Sequence, residues 1–148
     1  MAQDIHFTSE VFIVHKGKVL LRMHPNLKIW CSVGGHIDAG EDPNTAALRE
    51  VKEEVGLDVR LWDGNKRFHV NDPHLRNLVP PVGLNRHTSY DGHEHVTFVF
   101  FATSETDAVV PEHENDEWRW VARDELDGMD LLPNIREYAE GALKELAS

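Results

Sequence analysis

Three glutamates, Glu50, Glu53 and Glu54, stand within five positions of a chain whose formal charge is already −11. On a helix, at about 100° per residue, they fall within an arc of roughly 100°. Like charges one turn apart cost free energy unless something neutralises them. The nearby bases, Arg49 and Lys52, cannot neutralise all three. The cluster also lies toward the helix C-terminus, where the macrodipole disfavours negative charge. A solvated face is the ordinary fate of a Glu-rich helix. Here the crowding, the dipole and a glycine pair just upstream, Gly34-Gly35, favour a metal site. Hard cations such as Mg²⁺ take carboxylate oxygens, commonly together with substrate phosphates.

The elements that must position these groups can be read around them. Asp42-Pro43 is a helix start, with an acidic cap and proline at the first helical position. The helix is expected to reach Val55, with Gly56 in the left-handed position that ends many helices. Leu48, Val51 and Val55 form its core face, opposite the glutamates. Ala46 and Ala47 lie on the acidic side, small enough to admit a close neighbour. Upstream, VFIVH and KVLLRMH read as strands joined by a turn at Lys16-Gly17. An irregular stretch follows to the glycine pair. Leu57 to Trp62 is strand-like, while residues 63–85 are polar, proline-bearing and hard to place. HVTFVFFAT, residues 95–103, is β-branched and aromatic throughout, as in a strand covered on both faces. After a loop at 110–117 and WRWVARDEL, Leu132-Pro133 opens a last helix with Ile135, Ala139, Ala142 and Leu146 as its packing stripe. Strands with helices between and after them imply an α/β fold with a mixed sheet covered on both faces.

Composition bounds the rest. The 148 residues, 41% hydrophobic and 28% charged, suit a single soluble domain over 1–148. No apolar run approaches the ~20 residues that span a bilayer, and MAQDIHFTSE lacks the plan of a secretory signal. A lone cysteine, Cys31, fits a reducing compartment, so a cytoplasmic protein is expected. The acidic balance argues against a general nucleic-acid binder. A homodimer is compatible with the sequence, but nothing in it specifies one.

Gly35, Glu41, Arg49-Glu50, Val51, Glu53-Glu54, Gly56 and Leu57 fit the pattern G-x5-E-x7-R-E-U-x-E-E-x-G-U, with U apolar, at every specified position. Residues 35–57 thus resemble a complete Nudix box. The resemblance implies the Nudix fold, an α/β/α sandwich with a central mixed sheet. It implies hydrolysis of the pyrophosphate bond in a nucleoside diphosphate linked to another moiety, with Mg²⁺ or Mn²⁺. Carried over by position, it makes Glu50 and Glu54 the principal metal ligands, Glu53 a third, and the Gly35 carbonyl a further one. Arg49 would orient Glu50 or Glu53, and Glu41 would brace the loop. In this family a base on a late loop before a tryptophan is common. In PEHENDEWRW, Glu114 is the favoured position, with Glu117 and Glu53 as alternatives. Arg22, His36, Arg86 and His95 are expected to meet substrate. A nucleotide-sensing module without catalysis is the alternative of a different class.

Ser32-Val33 before the glycine pair resembles the isopentenyl-diphosphate isomerase branch. There the catalytic thiol follows that pair, and here the position is Gly34; an isomerase is disfavoured. Ten histidines raise the question of zinc. His93 and His95 should share a strand face, with His87 nearby, although the Cys/His pairings of structural zinc sites are absent. The reading preferred here puts His95 and Arg86 in a substrate cleft. Trp62, Phe68, Tyr90 and Trp118 are candidates to stack on a base. The substrate itself, whether ADP-ribose-like, a dinucleoside polyphosphate or a (d)NTP, is set by loops the sequence leaves unread.

Overall fold

The structure is a computed structural model, which describes residues 4–64 and 68–146. Its elements in chain order are β1 (Ile5–His15), β2 (Lys18–Met23), β3 (Trp30–Cys31), β4 (Val33–His36), α1 (Pro43–Val55) and β5 (Val59–Leu61), then β6 (Gly83–Thr88), β7 (Glu94–Ser104), β8 (Trp118–Ala122), α2 (Arg123–Leu126) and α3 (Pro133–Glu145). The strands form one sheet in the order β3-β2-β1-β7-β5, with β4 on β1, β6 on β7 and β8 on β2. Only β1 and β7 run parallel, and the other pairings are antiparallel. The sheet is therefore mixed, as expected.

Alternation along β1 and β7 sends side chains to two separate cores. Phe12 and Val14 join Val99 and Phe101 beneath Ile135, Ala139 and Ala142 of α3. Val11 and Ile13 join Phe100 and Ala102 beneath Ala47, Val51 and Val55 of α1. The stripe expected on α3 is buried in full. The Lys16-Gly17 turn has positive φ at both residues, 45° and 76°, the geometry that suits a two-residue hairpin.

Helix α1 begins and ends where its caps require. The Asp42 carboxylate accepts the Thr45 amide at 2.8 Å, and Gly56 sits at φ 68° with its N–H on the Lys52 carbonyl. The expected core face needs one correction. Leu48 is 41% exposed, whereas Ala46 and Ala47 are fully buried. The helix is rolled so that the side bearing the two alanines, Glu50 and Glu54 faces the sheet. Three pieces of strand escaped the sequence. The first half of β1, Ile5 to Glu10, alternates only as far as Thr8 and then turns polar at Ser9-Glu10 instead of forming an apolar run. The short β4 carries the glycine pair, and β6 lies in the polar stretch. No helix among the described residues is long and apolar enough to cross a membrane.

Candidate active site

Strand β4 lies against β1, Gly35 opposite Ser9 and His36 opposite Thr8, and α1 crosses beside it. Contact is close because Gly35 has no side chain. A Cβ there would stand 2.5 Å from Cδ of Glu50. Glu54 reaches the same strand, where the Gly34 amide points at its Oε2 from 3.4 Å. Two carboxylates and the glycine backbone therefore converge in a half-buried corner, with side-chain exposures of only 14% for Glu50 and 10% for Glu54. Glu53 points outward, 53% exposed.

Arg49 organises this corner. Its Nε and one terminal nitrogen hold both oxygens of Glu41 at 2.7 and 2.9 Å. Its other terminal nitrogen donates to Glu50 at 2.9 Å and to Glu53 at 3.1 Å. The His36 carbonyl accepts a further bond at 2.9 Å. Glu41 in turn accepts the Asp38 amide, which ties the loop between β4 and α1 to the helix. Such a planar fork fixes orientation in a way an ammonium cannot.

On the far side of Glu54 stands Arg22 of β2, 3.5 Å away and also 3.4 Å from Asp116. The Arg22 Nε is buried with no hydrogen-bond partner. One guanidinium does not offset burial. Loss of solvent pushes the Glu54 carboxyl up to about 7, against the Arg22 charge and helped by the charge of Glu50. Burial raises Glu50 also, opposed by Arg49. A pair of oxygen-donor groups that resists ionising for want of positive charge is a donor set suited to a hard divalent cation. The residues present thus fit Mg²⁺ or Mn²⁺.

The late loop is clipped to the end of α1 by Val110 N–H on the Val55 carbonyl, 2.8 Å, and Glu112 N–H on the Glu54 carbonyl, 3.0 Å. The clip places Glu112 where its charge raises both Glu50 and Glu54. Glu114 and Glu117 are exposed on the same loop. Neither Glu112 nor Asp116 is distinguishable in sequence from the other acids of that loop. What singles them out is the pair of backbone bonds.

A cleft of about 320 Å³ opens beside Gly34 and Gly35 on the α3 face of the sheet, bordered by Glu10, His36, Tyr90 and His95. A larger cavity, about 720 Å³, lies along α3 and holds no residue of the 35–57 segment. Size is therefore not the guide to this site. Within the cleft, Thr8 and Thr97 bond to each other at 2.7 Å. Ser32 donates to a half-buried Glu10, whose carboxyl burial holds above its usual range. Burial, reinforced by His36, holds the His95 imidazole below its usual value. Arg86 is not brought there. It pairs across the strand with Val96, on the face opposite His87 and His95, and its guanidinium meets Glu94. Among the aromatic candidates, Trp62 packs on Phe101 and Trp118 on the α1-side core. Phe68 is 82% exposed. Tyr90 stands in the cleft mouth, edge-on to His24 with centroids 4.8 Å apart. Cys31 donates to the Arg22 carbonyl at 3.2 Å, and burial pushes its thiol up to about 12. A proton-transfer thiolate is thereby disfavoured.

Comparison with known proteins agrees with this geometry. A family model described as the NUDIX domain matches residues 7–146. An RNA pyrophosphohydrolase of Erythrobacter litoralis is 32% identical over 130 residues, covering 83% of this chain and 76% of that one. Another, from Rhodospirillum rubrum, is 32% identical over 121 residues, 80% of this chain and 71% of that one. Among solved structures, a NUDIX-family hydrolase from Clostridium perfringens superposes with a TM-score of 0.83 at 33% identity, over 95% of this chain and 97% of that one. With its box residues gathered on α1 and β4 and a family match spanning nearly every residue, the chain belongs to the Nudix family and is a hydrolase of pyrophosphate bonds.

Proposed function

We propose that the chain hydrolyses the pyrophosphate bond of a small nucleotide in which a nucleoside diphosphate is joined to a second group. ADP-ribose-like compounds, dinucleoside polyphosphates and nucleoside triphosphates are the classes concerned. The observation that carries this reading is the convergence of Glu50 and Glu54 beside Gly35 under the five-bond grip of Arg49. Glu50, Glu54 and the Gly35 carbonyl would hold Mg²⁺ or Mn²⁺, with Glu53 as a further ligand. What a cation held there supplies is neutralisation of the diphosphate and acidification of water.

The chain's own residues do the remainder. Arg49 and Glu41 keep the carboxylates in register. Arg22, with an unpartnered Nε beside Glu54, is poised to meet a phosphate oxygen. For the general base, the 110–117 loop and the box each offer a carboxylate. Glu112, whose charge reaches Glu50 and Glu54, is better placed for it than Glu114 or Glu117, and Glu53 is the candidate inside the box. His36 and His95 line the cleft beside Gly34 and Gly35, and Tyr90 and Leu27 offer faces to a base at its mouth. Arg86, facing away, takes no part. A chain of charge −11 offers little to a long polyanion, which favours a small substrate. The naming of relatives for RNA puts a 5′-triphosphorylated RNA in the test.

The test is a panel of ADP-ribose, dinucleoside polyphosphates, nucleoside triphosphates, 5′-triphosphorylated RNA and an isoprenoid diphosphate. Each is incubated with Mg²⁺ or Mn²⁺ and its products are identified by mass. The expected result is a split pyrophosphate in a small nucleotide, lost in Glu54→Gln. Binding without product, or product undiminished in Glu54→Gln, overturns the reading. Glu112→Gln and Glu114→Gln assayed separately assign the base.

A further inference from the structure

Across four adjacent strands, β4, β1, β7 and β6, the register lines up imidazoles on the α3 face of the sheet. His6 of β1 is directly opposite His95 of β7, His95 opposite His87 of β6, and His36 of β4 opposite Thr8, two residues from His6. His6, His36 and His95 come closest together. One ring nitrogen from each lies within 4.8 Å of those of the other two. His6 Nδ1 and His36 Nε2 are 3.1 Å apart. The ring centroids are separated by 5.1 Å (His6–His36), 5.2 Å (His36–His95) and 5.7 Å (His6–His95).

The His6–His36 nitrogen spacing and the three ring separations are close to those around a tetrahedral ion. With metal–nitrogen bonds of about 2.0–2.1 Å, ligand nitrogens stand roughly 3.3 Å apart and their rings roughly 5 Å apart. A second observation is independent of the spacing: His95 Nε2 is buried and has no hydrogen-bond partner. A buried, unpaired polar atom costs free energy and calls for an explanation. A metal ion would supply its missing partner. His87 is less suited to the set, because its Nδ1 is engaged by Asn85 at 2.8 Å.

We propose that His6, His36 and His95 form a binding site for a borderline transition-metal ion of the Zn²⁺ class, separate from the carboxylate site and on the other face of strand β4. Alternation puts Gly35 toward Glu50 and its neighbour His36 toward the imidazoles, so one strand divides an oxygen-donor corner from a nitrogen-donor one. Ligand type sorts ions accordingly, Mg²⁺ or Mn²⁺ to the first and Zn²⁺ or Co²⁺ to the second. Three protein ligands leave a fourth position for water or an anionic group of a ligand in the cleft. His6 also lies within ligand distance of His93 and Asp4. That set includes an exposed carboxylate and no orphaned nitrogen, so the first triad is the site. The site does not depend on the catalytic reading.

The test uses the full chain freed of metal with a chelator, then titrated with Co²⁺ alone and followed by visible absorption. The expected result is one Co²⁺ per chain with the intense bands of a tetrahedral site, displaced by Zn²⁺. Those bands should persist in the Glu50→Gln/Glu54→Gln double variant and in His93→Ala. In His36→Ala and in His6→Ala the dissociation constant should rise 100-fold or more, with circular dichroism unchanged. Independently of any variant, Zn²⁺ should protect His6 and His36 from acylation, read by peptide mass. No tetrahedral bands in the wild type, bands lost with the glutamates or with His93, or His6 and His36 left unprotected would each overturn the proposal.

Discussion

At the scale of single residues, Glu54 joins activity to stability. Its carboxyl, ordinarily near 4.5, is held at about 7 in the folded chain, chiefly by burial. The folded state therefore keeps a proton that the unfolded state has released. The metal-free fold is favoured in full below about 4.5 and loses that advantage as pH rises to 7, about 3 kcal/mol in all. Glu54→Gln removes the ionisation and should take the Glu54 share out of the pH dependence of metal-free stability in denaturant titrations, making the variant more stable than wild type at pH 8. The same change should lower kcat/KM on the order of 10³-fold, the consequence of losing a ligand worth several kcal/mol to the transition state. Arg49→Lys is the complementary case. An ammonium cannot span Glu41 bidentately and also reach Glu50, Glu53 and the His36 carbonyl. Activity should fall roughly 10- to 100-fold with the melting temperature little changed.

At the scale of elements, two glycines set how close α1 comes to its neighbours. Gly35→Ala would drive a methyl group into the Glu50 carboxylate. The side chain can swing away, so the fold should survive while Mg²⁺ affinity, measured calorimetrically, drops about 10- to 100-fold. Gly56 is different. It combines φ 68° with a would-be Cβ 2.7 Å from that of Val110, at the point where the late loop is clipped to the helix. Gly56→Ala should cost about 1–2 kcal/mol in denaturant unfolding and release Glu112 from the site.

These elements also mark how far the residues could be read without coordinates. The helix, its caps, the hairpin turn, β7 and the α3 stripe all announce themselves through local chemistry: a capping aspartate, proline, glycine and long apolar runs. Leu48 does not, because the roll of a helix is decided by what it packs against. Glu50 and Glu54 turned inward because Gly35 leaves room for the Glu50 carboxylate. Helical spacing brought Glu50 and Glu54 together, while the roles of Arg49 and Glu41 came from the resemblance to the Nudix box. Glu112, Asp116 and the triad of imidazoles depend on pairings across roughly 30 to 95 residues, which no local pattern encodes. His6 was the legible omission, since Ile5 to Thr8 alternates and would have extended β1 back to it.

At the scale of the whole molecule, α1 and α3 cover opposite faces of one mixed sheet, and the chemistry gathers where β4 and the first half of β1 emerge between them. The acidic chain must bind an anionic substrate there, so cations are structural partners as well as catalytic ones. A cation that binds only the folded state stabilises it by mass action, about 3 kcal/mol at a hundredfold excess over its dissociation constant. For a chain of this size that corresponds to roughly 5–10 °C in melting temperature. The rise should be larger at pH 8 than at pH 6, because the Glu54 proton must leave first. It should be absent in Glu54→Gln.

The most direct measurement of the central claim, that Glu50 and Glu54 await a divalent cation, is calorimetric Mg²⁺ titration of the metal-free chain in buffers of differing ionisation enthalpy. Binding should release close to one proton per Mg²⁺ at pH 6, about half a proton at pH 7 and almost none at pH 8.5, with no binding in the Glu50→Gln/Glu54→Gln variant. Mg²⁺ binding that releases no proton at pH 6, or that persists unchanged without the two carboxylates, would contradict it.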